Sequence, residues 1–262
     1  MDLKHITQQV CYIATKVGDF IKDECQKIDL VDIEVKSKNS LVTYVDKTAE
    51  QKIVNFLEKL IPESGFIAEE GTSTKNGKHY NWIIDPLDGT TNFIHGIPTY
   101  CVSIALQFDN NLIVGVVYEP NRKECFSAWL NGGAYLNNNP IKVSDTNKIE
   151  NSLFATGFPY YDFDKLDGYL DILKWLMRNT RGIRRIGSAA IDLSYVACGR
   201  FEGFYEYSLN PWDVAAGAIL VTEAGGVVTD FNGGVNFLNG QEIVASNPLI
   251  GDEFLEKIKQ HF

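Results

Sequence analysis

Long apolar runs are missing from this chain: nothing in it approaches the roughly 18 uncharged apolar residues that a membrane-crossing helix needs. Its first residues, Met1-Asp2-Leu3-Lys4-His5-Ile6, lack the basic flank and apolar core of an export signal. The expectation is a soluble, unexported, cytoplasmic protein. Cysteine is sparse. Cys11, Cys25, Cys101, Cys125 and Cys198 are odd in number, widely spaced and free of any C-x-x-C pair that would suggest zinc or redox chemistry. Basic residues are also short, 24 against 34 acidic ones, a formal charge of -10. That deficit argues against a nucleic-acid backbone or an anionic membrane as partner, since both need a basic surface. It also poses a difficulty for any phosphate-handling protein, because an acidic site repels its substrate unless cations intervene.

What is present is an ordinary globular composition, 45% apolar and 12% aromatic over 262 residues. Ile6, Val10, Ile13, Val17, Phe20 and Ile21 recur at helical spacing, and a second stripe runs through Ala49, Ile53, Phe56, Leu57 and Leu60 before Pro62. Between 66 and 130 the pattern turns to short β-rich runs, notably Trp82–Ile84, Tyr100–Phe108 and Leu112–Tyr118, with a hairpin turn expected at Asp109-Asn110-Asn111. After a turn-rich segment over 131–139, strand and helix signals alternate. A strand is expected over Leu153–Thr156, helices near 163–178, 188–198 and 213–223, a late strand over Ile243–Ser246 and a closing helix over Asp252–Gln260. No repeat, low-complexity tract or long linker appears. The chain therefore reads as one compact unit, with an α+β half over 1–145 and an α/β half over 146–262.

The most informative stretch is Trp82-Ile83-Ile84-Asp85-Pro86-Leu87-Asp88-Gly89-Thr90-Thr91-Asn92, where an apolar strand runs into two carboxylates and a tight turn. Strand ends followed by turns are where α/β proteins place ligands. Hard cations such as Mg²⁺ want oxygen ligands, and Asp85, Asp88 and an intervening carbonyl could face one ion. The amides of Gly89-Thr90-Thr91, if they begin a short helix, would offer donors to a phosphate. Upstream, Glu69-Glu70 follows the apolar Phe66-Ile67-Ala68; downstream, Trp212-Asp213 opens an apolar helix. Thr43 and Asp46 precede the second helix, and Arg184-Arg185-Ile186-Gly187-Ser188-Ala189-Ala190 sets a Gly-Ser turn at a helix start. Taken singly, each has a structural reading: a surface turn, a solvated loop, a helix cap at Asp213, capping at Thr43 and Asp46, a plain turn at Gly187.

Taken together, Glu69-Glu70, the run from Trp82 to Phe93, Gly187–Ala190, Trp212-Asp213 and Thr222–Gly226 resemble the inositol monophosphatase family in type, order and approximate spacing, over almost the full chain. The resemblance implies a layered αβαβα sugar-phosphatase fold, usually a homodimer, that removes a phosphate monoester by attack of a metal-activated water. It implies that Glu69, Asp85, Asp88, Asp213 and the carbonyl of Leu87 hold Mg²⁺, and that Asp46 and Thr90, with Glu69 as a catalytic ligand, orient the nucleophilic water. The amides of Gly89 and Thr90 would hold the phosphate. Gly187, Ser188, Ala189 and Glu206, with Asp213 and Leu87, would line the substrate pocket. Lithium sensitivity is also implied. Two departures stand out: Ala68 before the glutamate pair, and Asn39-Ser40 where an aspartate commonly precedes Leu41-Val42-Thr43.

Cations would answer the charge difficulty. Glu69, Asp85, Asp88 and Asp213 bring about four negative charges together, and about two or three Mg²⁺ ions reverse the local sign. A haloacid-dehalogenase-type phosphatase needs its aspartates two apart, whereas Asp85 and Asp88 are three apart and mid-chain. A regulatory protein that binds metal without turnover would not require Asp46 and Thr90. The substrate expected is a small phosphorylated polyol or sugar, first of all myo-inositol 1-phosphate. Fructose 1,6-bisphosphate, histidinol phosphate and a 3',5'-bisphosphate nucleotide are the alternatives. The region from Phe158 to Asp167, with Pro159-Tyr160-Tyr161, is the candidate for selecting among them.

Overall fold

The computed structural model describes residues 1–25, 27, 33–37, 40–160 and 162–262, with backbone alone over 33–37 and 40–42. Asn39 and Tyr161, two positions singled out above, lie outside the described residues, as do the side chains of Lys36 and Ser40.

Two sheets and three helix layers alternate. The larger sheet has seven strands in sequence order, β3 (Gly65–Ala68), β4 (Tyr80–Asp88), β5 (Cys101–Phe108), β6 (Asn111–Glu119), β7 (Glu124–Trp129), β8 (Gly133–Leu136) and β9 (Asn139–Ile141). Only its β3–β4 pairing is parallel. The smaller sheet has the order β11-β10-β12-β14-β13, from β10 (Leu153–Thr156), β11 (Gly182–Arg184), β12 (Gly203–Tyr207), β13 (Val227–Thr229) and β14 (Glu242–Ser246). A separate hairpin, β1 (Ile33–Ser37) with β2 (Ser40–Thr43), precedes the second helix.

The helix stripes explain the layering. In α1 (Leu3–Glu24) the residues Ile6, Val10, Ile13, Val17 and Ile21 are buried, and in α2 (Tyr44–Leu60) so are Val45, Ala49, Ile53 and Leu57. Both pack on one face of the larger sheet, against Trp82, Ile84, Val102 and Ile104. The opposite face meets α5 (Ala189–Ala197) and α6 (Pro211–Glu223), which are buried on nearly every side because they lie between the two sheets. At Gly115 on β6 the approach is so close that a Cβ would fall 2.3 Å from Ile219 and 2.8 Å from the Ala216 carbonyl. The outer face of the smaller sheet is covered by α4 (Leu166–Asn179) and α7 (Pro248–Lys259) through Tyr169, Ile172, Leu176, Phe254 and Ile258. The result is the αβαβα layering that the resemblance implies.

Several expectations need adjustment. Residues 131–139 are not turn alone: positive φ at Asn131, Gly133, Asn137 and Asn138 makes turns tight enough to leave room for β8 and the start of β9. The last helix begins at Pro248 rather than near Asp252, because Asn247 accepts from the amides of Leu249 and Ile250 and caps it. The β5–β6 hairpin turns on Asp109 and Asn110, both at positive φ, with Asn111 already in the strand.

Candidate active site

The site is built on an irregularity in β4. Asp85 stands opposite Ser103 and Asp88 opposite Cys101, so three steps on β4 match two on β5. Side chains alternate along a strand, so residues three apart would normally face opposite ways; the one-residue bulge at Pro86-Leu87 restores the parity. Asp85 and Asp88 therefore share the face that looks toward α5 and α6, while Ile84 and Leu87 point into the core under α1 and α2. The bulge is braced locally. The Leu87 amide donates to Asp85 Oδ1 at 2.9 Å, and the Thr90 hydroxyl lies 3.0 Å from the Leu87 carbonyl. Gly89, at φ 96°, turns the chain from the strand into the short helix α3 (Thr90–Ile94).

Three other elements deliver side chains to the same place. Asp88 Oδ2 accepts from the Ser188 hydroxyl at 2.6 Å and from the Ala190 amide at 2.8 Å, both at the start of α5. Ser188 also caps that helix through the Ile191 amide at 3.3 Å. Asp213 lies in the first turn of α6 and accepts from the Asn210 amide at 2.7 Å; it is thus the third residue of the helix reaching back, not the cap itself. Glu69 follows β3, its amide bonded to the Ile84 carbonyl at 3.2 Å. The loop after it is held by Glu50 of α2, fully buried, whose two carboxylate oxygens accept from the Glu70 and Thr72 amides at 2.7 Å each.

These residues surround one cavity of about 820 Å³, counted with its open mouth. It is lined by Glu69, Asp85, Leu87, Asp88, Gly89, Thr90, Gly187, Ser188, Ala189, Glu206 and Asp213 from the sequence reading, by Tyr160 of the segment expected to select the substrate, and also by Gly157, Arg185, Asp192 and Asn210. Asp46 does not line it. That residue sits behind Thr90, whose hydroxyl is 3.2 Å from Asp46 Oδ1, while Asp46 Oδ2 accepts from the Thr43 amide and hydroxyl at 2.8 and 2.6 Å. Thr43 and Asp46 form a capping box on α2, and the other carboxylate oxygen of Asp46 meets Thr90 at the cavity wall.

Burial and mutual repulsion dominate the electrostatics. Asp85 is pushed well above the usual carboxylate range by desolvation and by the charges of Glu69, Asp88 and Asp213. Asp213 moves the same way, through desolvation and then Asp88. Asp88 rises from 3.8 only to about 6, because burial is opposed by the Ser188 hydroxyl, the Ala190 amide and the charge of Arg185. Desolvation also raises Asp46, against its hydrogen bonds from Thr43 and Thr90. Carboxyl groups in this condition gain from a cation among them. The donors are all oxygens, which suits a hard ion such as Mg²⁺. Among the described residues no three carboxylate, histidine or cysteine side chains converge into a finished cage.

Glu50, Arg185 and Asp192 were missed by motif reading. Glu50 and Asp192 share one signal, a charged residue inside an otherwise buried helix face. Arg185 was quoted only as part of a turn, and its place at the cavity comes from the parallel pairing of β11 with β10.

The chain matches the inositol monophosphatase family over residues 2–261. It is 44% identical over 253 residues to the Nus factor SuhB of Pseudomonas aeruginosa, covering 95% of this chain and 93% of that one. Among solved structures, the extragenic suppressor protein suhB of Bartonella henselae superposes with a TM-score of 0.91 at 37% identity, over 98% of this chain and 100% of that one. The inositol monophosphatase of Anabaena superposes with a TM-score of 0.87 at 35% identity, over 100% and 98%. With its bulged acidic strand, its five layers and a match along its whole length, this chain belongs to the inositol monophosphatase family.

Proposed function

We propose that the chain is a Mg²⁺-dependent phosphoric monoester hydrolase acting on a small phosphorylated polyol or sugar, with myo-inositol 1-phosphate as its first candidate substrate. The bulge that turns Asp85 and Asp88 to one face, beside Glu69 and Asp213, is the observation that carries this reading. Glu69, Asp85, Asp88, Asp213 and the Leu87 carbonyl would hold the metal. Bound there, Mg²⁺ would offset the phosphate's charge and acidify a water.

The chain's own groups supply the rest. Thr90, tied to the buried Asp46, orients the attacking water and accepts or passes its proton along that pair. The amides of Gly89 and Thr90, at the first turn of α3, face the phosphoryl oxygens. Gly187, Ser188 and Ala189, at the start of α5, shape the wall beside the leaving group, and Glu206 accepts its hydroxyls. In-line displacement by water leaves an alcohol and inorganic phosphate, with no covalent phosphoenzyme.

The test is phosphate release from inositol 1-phosphate, fructose 1,6-bisphosphate, histidinol phosphate and adenosine 3',5'-bisphosphate, each with Mg²⁺ and with excess EDTA. Release that requires Mg²⁺ and is led by one compound establishes the reaction; no release from any of the four sinks it. Inhibition by lithium at concentrations that leave melting unchanged, and a homodimer by light scattering, are the corresponding expectations for ion sensitivity and assembly.

A second reading has one observation in its favour. The relatives from Pseudomonas aeruginosa and Escherichia coli, 44% and 41% identical, bear the name Nus factor. A chain this similar could share that role alongside catalysis, and the expectation of no nucleic-acid partner finds no support in these relatives. Among the described residues no helix is long and apolar enough to cross a membrane.

A further inference from the structure

Along α1 the residues Lys4, Gln8, Cys11, Tyr12 and Thr15 recur at helical spacing and form one stripe. Along β7, Cys125, Ser127 and Trp129 alternate onto one face, while Phe126 and Ala128 turn toward the layer of α5 and α6. Where that stripe meets that face a groove opens, of about 1470 Å³ counted with its mouth. Trp129 and Tyr135 of β8 line it as a stacked pair, their ring centroids 5.1 Å apart. None of its lining residues lines the catalytic cavity.

The groove holds two thiols that are far apart in the sequence. Cys11 and Cys125 are both free and half-buried, and the crossing of α1 with β7 sets them against each other. Cys125 is fixed from behind, its amide donating to Asn137 Oδ1 at 2.9 Å. The groove is also unusual in charge. The chain carries a formal charge of -10, yet among the described residues this groove is lined by Lys4 and Lys16 and by no carboxylate. Both lysines are exposed, and Lys16 stands 5.9 Å from the Tyr12 ring.

The two thiols are not equivalent. A hydrogen bond from the Cys125 thiol holds Cys11 below the ordinary thiol range against its burial, with help from Ser127. The same bond, together with burial, pushes Cys125 up. The thiolate is the nucleophile in thiol–disulfide exchange, so Cys11 is the attacking sulfur and Cys125 the resolving one.

We propose that this groove is a redox modification site, in which Cys11 takes up a small disulfide bearing carboxylates and Cys125 resolves the product into an intrachain Cys11–Cys125 disulfide. Cys11 attacks one sulfur of the reagent; the new S–S bond forms, the old one breaks, and the departing thiolate takes a proton from water. Cys125 then loses its proton to water, attacks the Cys11 sulfur and expels the second small thiol. The chain gives up two electrons, and the reagent is reduced to two thiols. Lysines with no carboxylate beside them draw in the carboxylates of a glutathione-type disulfide. The inference does not depend on the phosphatase reading.

The experiment treats the native full chain, at neutral pH and low salt, with oxidised glutathione, with uncharged 2-hydroxyethyl disulfide and with cationic cystamine. Each rate is scaled to the same reagent's rate with mercaptoethanol, and the products are alkylated and mapped by peptide mass spectrometry before and after dithiothreitol. Wild type should form the Cys11–Cys125 bridge reversibly. Cys125→Ser should stop at a mixed disulfide on Cys11, and Cys11→Ser should slow reaction at Cys125 by about tenfold or more. The scaled rate with oxidised glutathione should exceed that with cystamine by about tenfold, and the gap should close in high salt and in the double variant Lys4→Gln, Lys16→Gln. Absence of the bridge in wild type, or modification of Cys25 or Cys198 as fast as Cys11, overturns the site. Cystamine matching or outpacing oxidised glutathione overturns its preference for an acidic reagent. Both of these results are read on wild type, so a variant that fails to fold leaves the test intact.

Discussion

The Ser188 hydroxyl donates to Asp88 at 2.6 Å although the two residues are 100 positions apart in the chain. That bond, with the Ala190 amide, clamps the acidic bulge of the larger sheet to the first turn of α5. Both donors favour the charged form of Asp88 and hold it near 6 against burial. Ser188→Ala removes one donor and the cap on α5. We expect a Mg²⁺ requirement raised about tenfold, since a hydrogen bond to a charged group is worth about 1.5–3 kcal/mol, and about 1 kcal/mol less stability. A Mg²⁺ titration of activity and a denaturant melt check both, and an unchanged Mg²⁺ requirement would remove the clamp's functional role.

Asp88→Asn nearly preserves volume while removing a buried charge that the metal-free protein holds at a cost. Turnover should fall by about 10³-fold or more, as expected for loss of a charged ligand to a catalytic ion. Melting of the metal-free variant should match or exceed wild type. Activity close to wild type would show that Asp88 is not a metal ligand.

Glu50 places Glu69 at one remove, by holding the amides of Glu70 and Thr72 on its two oxygens. Glu50→Gln can accept one of those bonds but presents an N–H₂ to the other, setting donor against donor in a buried place. The expected result is about 2–3 kcal/mol of lost stability and weaker Mg²⁺ binding, with kcat at saturating Mg²⁺ within about tenfold of wild type. If kcat collapses at saturation instead, Glu50 takes part in the chemistry directly.

How far the sequence could be read depended on the kind of signal. The stripes of α1 and α2 and the apolar runs of β4, β5 and β6 were legible because one periodicity governs each. The acidic residues were legible as a motif, but the reason Asp85 and Asp88 cooperate was not, since a bulge is defined only by the partner strand. Short strands such as β11 and β13, three residues each, carry too little pattern to stand out and are fixed by pairing. Asp192 and Glu50 are invisible as motifs because their importance comes from what the fold buries around them.

The pH dependence of the metal-free protein follows from the raised carboxyls. Asp88 has an ordinary value of 3.8 and a folded value of about 6, so the folded state binds more protons than the unfolded state between these pH values. Stability therefore falls as pH rises through that window, and for this group it levels off above it. Asp85 and Asp213 are raised too, by desolvation first and then by their neighbours' charges, and add to the fall in the same direction. In EDTA the melting temperature should be higher at pH 6 than at pH 8. Saturating Mg²⁺ should reverse that order, because the ion binds the deprotonated folded site and adds about 2.7 kcal/mol at a hundredfold excess over Kd. The same slope with and without Mg²⁺ would mean that the metal does not bind these groups.

Thr90 offers the sharpest test of the water-orienting pair. Its hydroxyl lies 3.0 Å from the Leu87 carbonyl and 3.2 Å from Asp46 Oδ1, and a single proton serves only one of them well at a time. Once the Leu87 carbonyl is engaged elsewhere, the proton goes to Asp46, whose other oxygen is already fixed by Thr43. The Thr90 lone pairs then point outward to take a proton from water. Thr90→Val keeps the shape and loses the hydroxyl, and should lower kcat by about 10²- to 10⁴-fold with little change in KM, while Thr90→Ser stays within about tenfold. Steady-state kinetics of the two variants separate the roles of the pair. Should Thr90→Val keep its kcat, Asp46 reverts to what its Thr43 bonds alone would make it, the capping partner of α2, because that capping box does not depend on the Thr90 hydroxyl.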